Sequence, residues 1–216
     1  MNLSELAARH ASSVRRSAIG ARAAAGSVAG VAEAARAIRD GGGTRAGWRQ
    51  QVMACRGVPG FFPTPPELAE RLVDAAGIQP GWRVLEPSAG SGNLVGAILG
   101  RGAYCVAIEV NVRLSAMIGA RFCNGLSCSL NCADFMTWDG GPFDAVVMNP
   151  PFERRQDEAH LRRALGMLKP GGRIACIVSR TTGDRLRGEF NVENLPDDSF
   201  AKSENPTHVR TCLVTD

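Results

Sequence analysis

The sequence predicts an α/β fold built on an open, mostly parallel sheet, and three stretches carry that expectation. The first is the strand-like run Trp82-Arg83-Val84-Leu85, which leads into Glu86-Pro87-Ser88-Ala89-Gly90-Ser91-Gly92-Asn93 and a helical stretch from Leu94 to Leu99. Strand, glycine-rich turn and helix form the nucleotide-binding unit of a Rossmann-like sheet, where glycines let a ligand approach the backbone. The second is Tyr104 to Ile108, ending at Glu109, where an acid can accept both hydroxyls of a ribose or cap the helix that begins near Asn111. The third is Phe143 to Met148, a short apolar run behind Gly140-Gly141-Pro142 that ends at Asn149-Pro150-Pro151-Phe152. It reads as a buried parallel strand whose tetrad falls at the carboxyl edge, the ligand-binding edge of such sheets.

The remaining elements follow in order. Residues 3–39 are rich in Ala and Arg, with Val28, Val31, Ala35 and Ile38 at helical spacing, and Gly41-Gly42-Gly43 ends the segment. In Phe61-Phe62-Pro63-Thr64-Pro65-Pro66-Glu67-Leu68, Thr64 is placed to cap a helix whose first turn holds the two prolines. Ser127 to Cys132 makes a short third strand, followed by Asp134-Phe135. A helix is expected over Glu158 to Leu168, stopped by Lys169-Pro170-Gly171-Gly172, and a fifth strand over Arg173 to Val178. Ser179 to Asn194 reads as irregular, and Ser199–Lys202 with Val209–Val214 as a closing antiparallel pair. His160 and His208 show no triad or metal spacing and are expected at the surface.

Charge divides the chain. Residues 1–58 carry nine Arg and three acids, a net +6, whereas residues 59–216 carry sixteen Lys or Arg and eighteen acids, a net −2. A basic helical or partly disordered arm (1–58) before a near-neutral domain (59–216) suits a polyanionic partner. The arm's scarcity of acids also resembles an organelle transit peptide. No apolar run is long enough to cross a membrane. The seven cysteines are scattered, and Cys123, Cys128 and Cys132 lack zinc-site spacing. A reducing, cytoplasmic setting without a metal is expected.

On these residues the chain resembles the class I S-adenosylmethionine (SAM)-dependent amino-methyltransferases over about residues 60–216. Glu86-Pro87-Ser88-Ala89-Gly90-Ser91-Gly92 resembles their cofactor loop, and Asn149-Pro150-Pro151-Phe152 their catalytic tetrad. The resemblance implies a seven-stranded mostly parallel sheet and SAM as cofactor. It implies that Phe62, Thr64 and Pro65 close over the methionine carboxylate, that Glu86, Ser88, Gly90 and Gly92 form the loop, and that Glu109 binds the ribose. Asp134 would take the adenine amino group, with Phe135 on the ring. Asn149 Oδ1 and the Pro150 carbonyl would accept from a target NH₂, with Pro151 stiffening the turn and Phe152 stacking on a flipped base.

The motif order resembles the N6-adenine DNA methyltransferases that carry target recognition C-terminally. The chain stops at Asp216, so either the arm supplies DNA contacts, or a specificity partner does, or the specificity is relaxed; a homo-oligomer through the arm is a further expected partner. DNA is the expected substrate. RNA methylation on adenine N6 or guanine N2, protein-glutamine methylation, and a non-catalytic nucleic-acid-binding subunit are the alternatives.

Overall fold

The computed structural model describes residues 45–58, 60–123 and 125–216. The Val28, Val31, Ala35, Ile38 stripe lies outside them.

Seven strands form one sheet in the order β3-β2-β1-β4-β5-β7-β6. They are β1 (Arg83–Glu86), β2 (Tyr104–Ile108), β3 (Cys128–Asn131), β4 (Phe143–Met148), β5 (Leu168–Ser179), β6 (Asn191–Asn194) and β7 (Thr211–Thr215). The pairs among β1 to β5 are parallel, and β7 runs antiparallel to both β5 and β6. The helices are α1 (Arg45–Met53), α2 (Pro66–Ala75), α3 (Asn93–Gly100), α4 (Val112–Phe122), α5 (Gln156–Leu165) and α6 (Arg180–Leu186).

The central strands bury apolar side chains on both faces because both faces of the sheet are covered. Ala107, Val147 and Ile177 pack on one side with Leu72 of α2 and Val95 and Ile98 of α3. Their neighbours Val106, Val146 and Cys176 pack on the other with Leu161 and Ala164 of α5 and Leu186 of α6. Arg83 N donates to Asp144 Oδ2 at 2.8 Å, which ties β1 to β4. Residues 45–58 of the expected arm include α1, whose Trp48 and Val52 bury against Leu114 and Met117 of α4. The Arg121 guanidinium lies 4.3 Å over the Trp48 ring.

Several expectations need correction. Residues 180–186 are helical and 191–194 form β6, where irregular structure was expected. Ser179 Oγ caps α6 by accepting from Thr182 N, and Thr182 and Leu186 bury its inner face. β6 is an edge strand with three of its four residues exposed, so its sequence carries no apolar alternation. It is β6 that pairs with β7; residues 199–202 are turns that insert Phe200 into the core. α5 ends at Leu165, and Leu168 already pairs with Phe143, so Lys169 to Gly172 bulge within β5. A reducing setting was expected, yet Cys123 and Cys128 are joined by a disulfide between the end of α4 and the start of β3.

Candidate active site at the carboxyl edge of the sheet

The carboxyl ends of β1, β2 and β4 open into a cavity of about 680 Å³, within the roughly 300–1,000 Å³ usual for small-molecule sites. The glycine-rich turn after β1 forms its floor. Gly90 and Gly92 both take left-handed φ, 52° and 79°. A Cβ at Gly92 would fall 2.7 Å from the Phe122 ring, so this glycine lets α3 and α4 approach. Gly90 N donates to Glu109 Oε2 at 2.7 Å, and Asn111 N donates to Glu109 Oε1 at 2.7 Å. The carboxylate thereby joins the loop after β1 to the end of β2. Each of its oxygens keeps acceptor capacity for a further donor. Burial raises the Glu109 pKa, against the lowering effect of those backbone N–H groups. Asn111 also caps α4, accepting from Arg113 N and Leu114 N. The capping role thus falls to Asn111, and Glu109 is left to tie the glycine-rich turn to the end of β2.

Glu86 sits beneath this loop, fully buried at the end of β1. Its Oε1 accepts from Ser88 N at 2.9 Å, while Oε2 has no partner. Desolvation pushes its pKa up to about 8, with the Ser88 N–H opposing and Glu109 adding to the rise.

The roof of the cavity is residues 60–64. Thr64 was expected to cap α2, but Pro65 is the N-cap residue and no side chain caps it. The Thr64 hydroxyl instead accepts from Asn149 Nδ2 at 3.1 Å, and the same nitrogen donates to Phe62 O at 3.1 Å. A carbonyl can only accept, so the contact with Phe62 O fixes which amide atom is nitrogen. Asn149 Oδ1 is left buried without a partner.

The structure brings Phe62, Thr64, Ser88 and Gly90 to the cavity wall, together with Glu109, Asp134, Phe135, Asn149 and Pro151. Asp134 is exposed, and its Oδ1 accepts from Met136 N at 2.8 Å. Pro65, Glu86, Gly92, Pro150 and Phe152 stand behind the wall. Phe152, expected against a base, stacks on Phe62 with ring centroids 6.3 Å apart and planes 13° from parallel.

His160 corrects the sequence reading most sharply. It is buried in the cavity wall, with Nδ1 3.3 Å from Ser88 Oγ and its ring 5.3 Å from that of Phe135. Burial lowers its pKa, with Asp134 and Asp157 opposing, which favours the neutral ring. Its position is set by Asp157, fully buried at the start of α5, whose Oδ2 accepts from Ser179 N and Oγ. Helical spacing offered the signal: His160 lies four residues before core Ala164 and next to core Leu161. His208 is exposed, as expected. Among the described residues no group of three His, Cys, Asp or Glu side chains is placed to hold a metal. Nor is any helix among them long and apolar enough to cross a membrane.

The sheet order is that of the class I methyltransferase fold. A dimethyladenosine transferase from Plasmodium falciparum shares the fold with a TM-score of 0.58 at 16% identity, over 70% of this chain and 61% of that one. No family model matches the chain. In sequence it is 33% identical over 121 residues to ribosomal RNA small subunit methyltransferase C of Chromohalobacter salexigens, covering 52% of this chain and 36% of that protein. It is 30% identical over 98 residues to modification methylase CviBIII of Paramecium bursaria Chlorella virus NC1A, covering 43% and 26%. A protein-L-isoaspartate O-methyltransferase of Methylorubrum extorquens is 29% identical over 130 residues, covering 56% and 57%. The chain therefore spans less than two thirds of each of these three relatives.

Glu86 generates a prediction. The folded chain holds its proton up to about pH 8, while the ordinary value is 4.5. The folded state binds the extra proton between those values, so this residue's contribution to stability is complete below about 4.5 and declines as pH rises through 8. Glu86→Gln cannot ionise. Melting temperatures at pH 5 and pH 8.5 should show the variant gaining on the parent at the higher pH; an equal difference at both would remove Glu86 as the titrating group.

Proposed function

We propose that this chain is a SAM-dependent methyltransferase that acts on an exocyclic amino nitrogen of a nucleic-acid base, in the first instance adenine N6 of DNA. The observation that carries the reading is the unmet Asn149 Oδ1 in the cavity wall. An unsatisfied buried acceptor costs about 1–3 kcal/mol, and a donor entering the cavity removes that cost.

The wall fits the cofactor. Glu109 retains acceptor capacity toward two ribose hydroxyls, and Asp134 has an oxygen free to accept from an adenine amino group. Gly90 keeps the loop backbone open toward the ligand. SAM, when bound, supplies an electrophilic methyl group on a sulfonium.

The chain's own part is to prepare the nucleophile. An exocyclic NH₂ delocalises its lone pair into the ring and attacks poorly. A hydrogen bond from that NH₂ to Asn149 Oδ1, in the cavity wall, draws the nitrogen toward tetrahedral geometry and localises the pair. Two consecutive prolines after it keep this acceptor rigid, so much of the rate comes from positioning. A base in duplex must be flipped to reach the cavity. Phe62 is then the aromatic wall, with Phe152 packed behind it.

The similarity to a ribosomal RNA methyltransferase favours a second reading, methylation of an unpaired base in RNA. Tritiated SAM offered with duplex DNA, ribosomal RNA and protein extract, followed by nucleoside analysis, separates the two. Label in methyladenosine or methylguanosine of RNA would select the second; label in protein alone would reject both.

Asn149→Ala should abolish transfer while leaving SAM affinity within about threefold, because the residue faces the target amine. Glu109→Ala should weaken SAM binding by about 2–3 kcal/mol, because it removes two charge-assisted bonds. Calorimetric titration of both variants checks the division of labour. Unchanged affinity in Glu109→Ala, or abolished affinity in Asn149→Ala, would contradict it.

Residues 1–58 are proposed as a phosphate-contacting arm, on the strength of their net +6 against −2 for the rest. Removing residues 1–44, which leaves α1 on the domain, should flatten the dependence of log affinity on log salt by about 0.9 for each phosphate that the removed segment neutralises. An unchanged slope with an altered sedimentation coefficient would make the arm an oligomerisation element instead.

A further inference from the structure

Four consecutive carbonyls in the roof accept hydrogen bonds from side chains elsewhere in the chain. Phe61 O accepts from Asn205 Nδ2 at 2.6 Å, Phe62 O from Asn149 Nδ2 at 3.1 Å, Pro63 O from Ser203 Oγ at 2.7 Å, and Thr64 O from Asn93 Nδ2 at 2.8 Å. Residues 61–64 belong to no helix or strand, so these carbonyls have no ladder to join and need such partners. The donors alternate. The loop between β6 and β7 holds Phe61 and Pro63, while residues of the cavity wall hold Phe62 and Thr64. That alternation is what a segment with successive groups on opposite sides requires.

We propose that Ser203 and Asn205 are positioning residues for methyl transfer: by fixing the far edge of the roof they keep Phe62 O and the Thr64 hydroxyl in register with the Asn149 amide, and so aim Asn149 Oδ1. The inference deepens the functional reading above and rests on it. The loop is built to hold this register. Leu195 and Phe200 are buried in the core and anchor it. Ser203 is itself buried, and its hydroxyl both donates to Pro63 O and accepts from Asn205 N at 3.2 Å. Arg56, just before the roof, donates to Glu204 O between the two positioning residues. A slip of the roof would leave Asn149 Nδ2 without Phe62 O and free the amide to turn. Nitrogen, a donor, would then face the target amine in place of oxygen. Ser203 and Asn205 do not line the cavity; they act through residues 61–64.

The test uses the full chain with Ser203→Ala, Ser203→Thr and Asn205→Asp, and two independent readouts. Side-chain amide exchange of Asn149, followed by ¹H–¹⁵N NMR, reports the register whether or not a substrate is known. Methyl transfer per calorimetrically counted SAM site reports its consequence. Ser203→Ala and Asn205→Asp should each speed Asn149 amide exchange and lower kcat by about tenfold, with KM for the nucleic acid and SAM affinity within about threefold. Ser203→Thr, which keeps the hydroxyl, should restore both. A purely structural role would lower the melting temperature and the number of SAM sites while leaving kcat per site unchanged, and that outcome, or unaltered Asn149 exchange, overturns the proposal. If Asn205→Asp does not fold, Ser203→Ala carries both readouts. If the parent chain transfers no methyl to any nucleic acid, the functional reading fails, and amide exchange alone still decides the coupling.

Discussion

The site depends on one side-chain amide and the two acceptors that hold its nitrogen. Asn149 stands where β4 ends, and its Nδ2 reaches back to Phe62 O and Thr64 Oγ1 across more than eighty residues of chain. Because Phe62 O can only accept, the amide has one orientation, and its oxygen is the atom left over. A neutral hydrogen bond is worth about 1 kcal/mol net, yet leaving a buried partner unpaired costs more. The asymmetry is what matters: rotating the amide would leave Phe62 O unpaired and set oxygen against oxygen.

The side of the cavity formed by the glycine-rich turn rests on a different tie. Glu109 takes one backbone N–H from the glycine-rich turn and one from the start of α4. The loop, the β2 end and the α4 cap therefore move as a unit. Glu86 lies under the same turn with one oxygen unpaired, so two buried carboxyls support the loop by unlike means. One is clamped by N–H groups on both oxygens. The other keeps its proton to about pH 8 because desolvation outweighs the single N–H it receives.

The part of this arrangement visible in the sequence is the part set by local patterning. β2 and β4 have the expected bounds, and β1 is displaced by one residue, because buried parallel strands announce themselves as apolar runs closed by glycine or proline. Glu109 and Asn149 stand just past the ends of β2 and β4, where the apolar runs place them. Several of the misses share a physical origin, which is that long-range partners decide them. Thr64 has the composition of a helix cap, but Asn149 takes its hydroxyl. Asp157 is buried because the Ser179 end of β5, 22 residues on, lies beside it. His160 then follows it into the cavity wall. β6 is polar because it lies at the sheet edge, so neither its period nor its composition marks it as a strand. Ser203 and Asn205 sit in a turn-rich stretch whose partners lie some 140 residues away.

The most direct test is a crystal structure of the chain with S-adenosylhomocysteine and a short oligonucleotide carrying an unpaired adenine. The account predicts the thioether beside the glycine-rich turn, Asn149 Nδ2 still on Phe62 O, and the adenine amino nitrogen about 2.9–3.0 Å from Asn149 Oδ1. An Asn149 amide turned with its nitrogen toward the cavity, or a base held away from the tetrad, would contradict it.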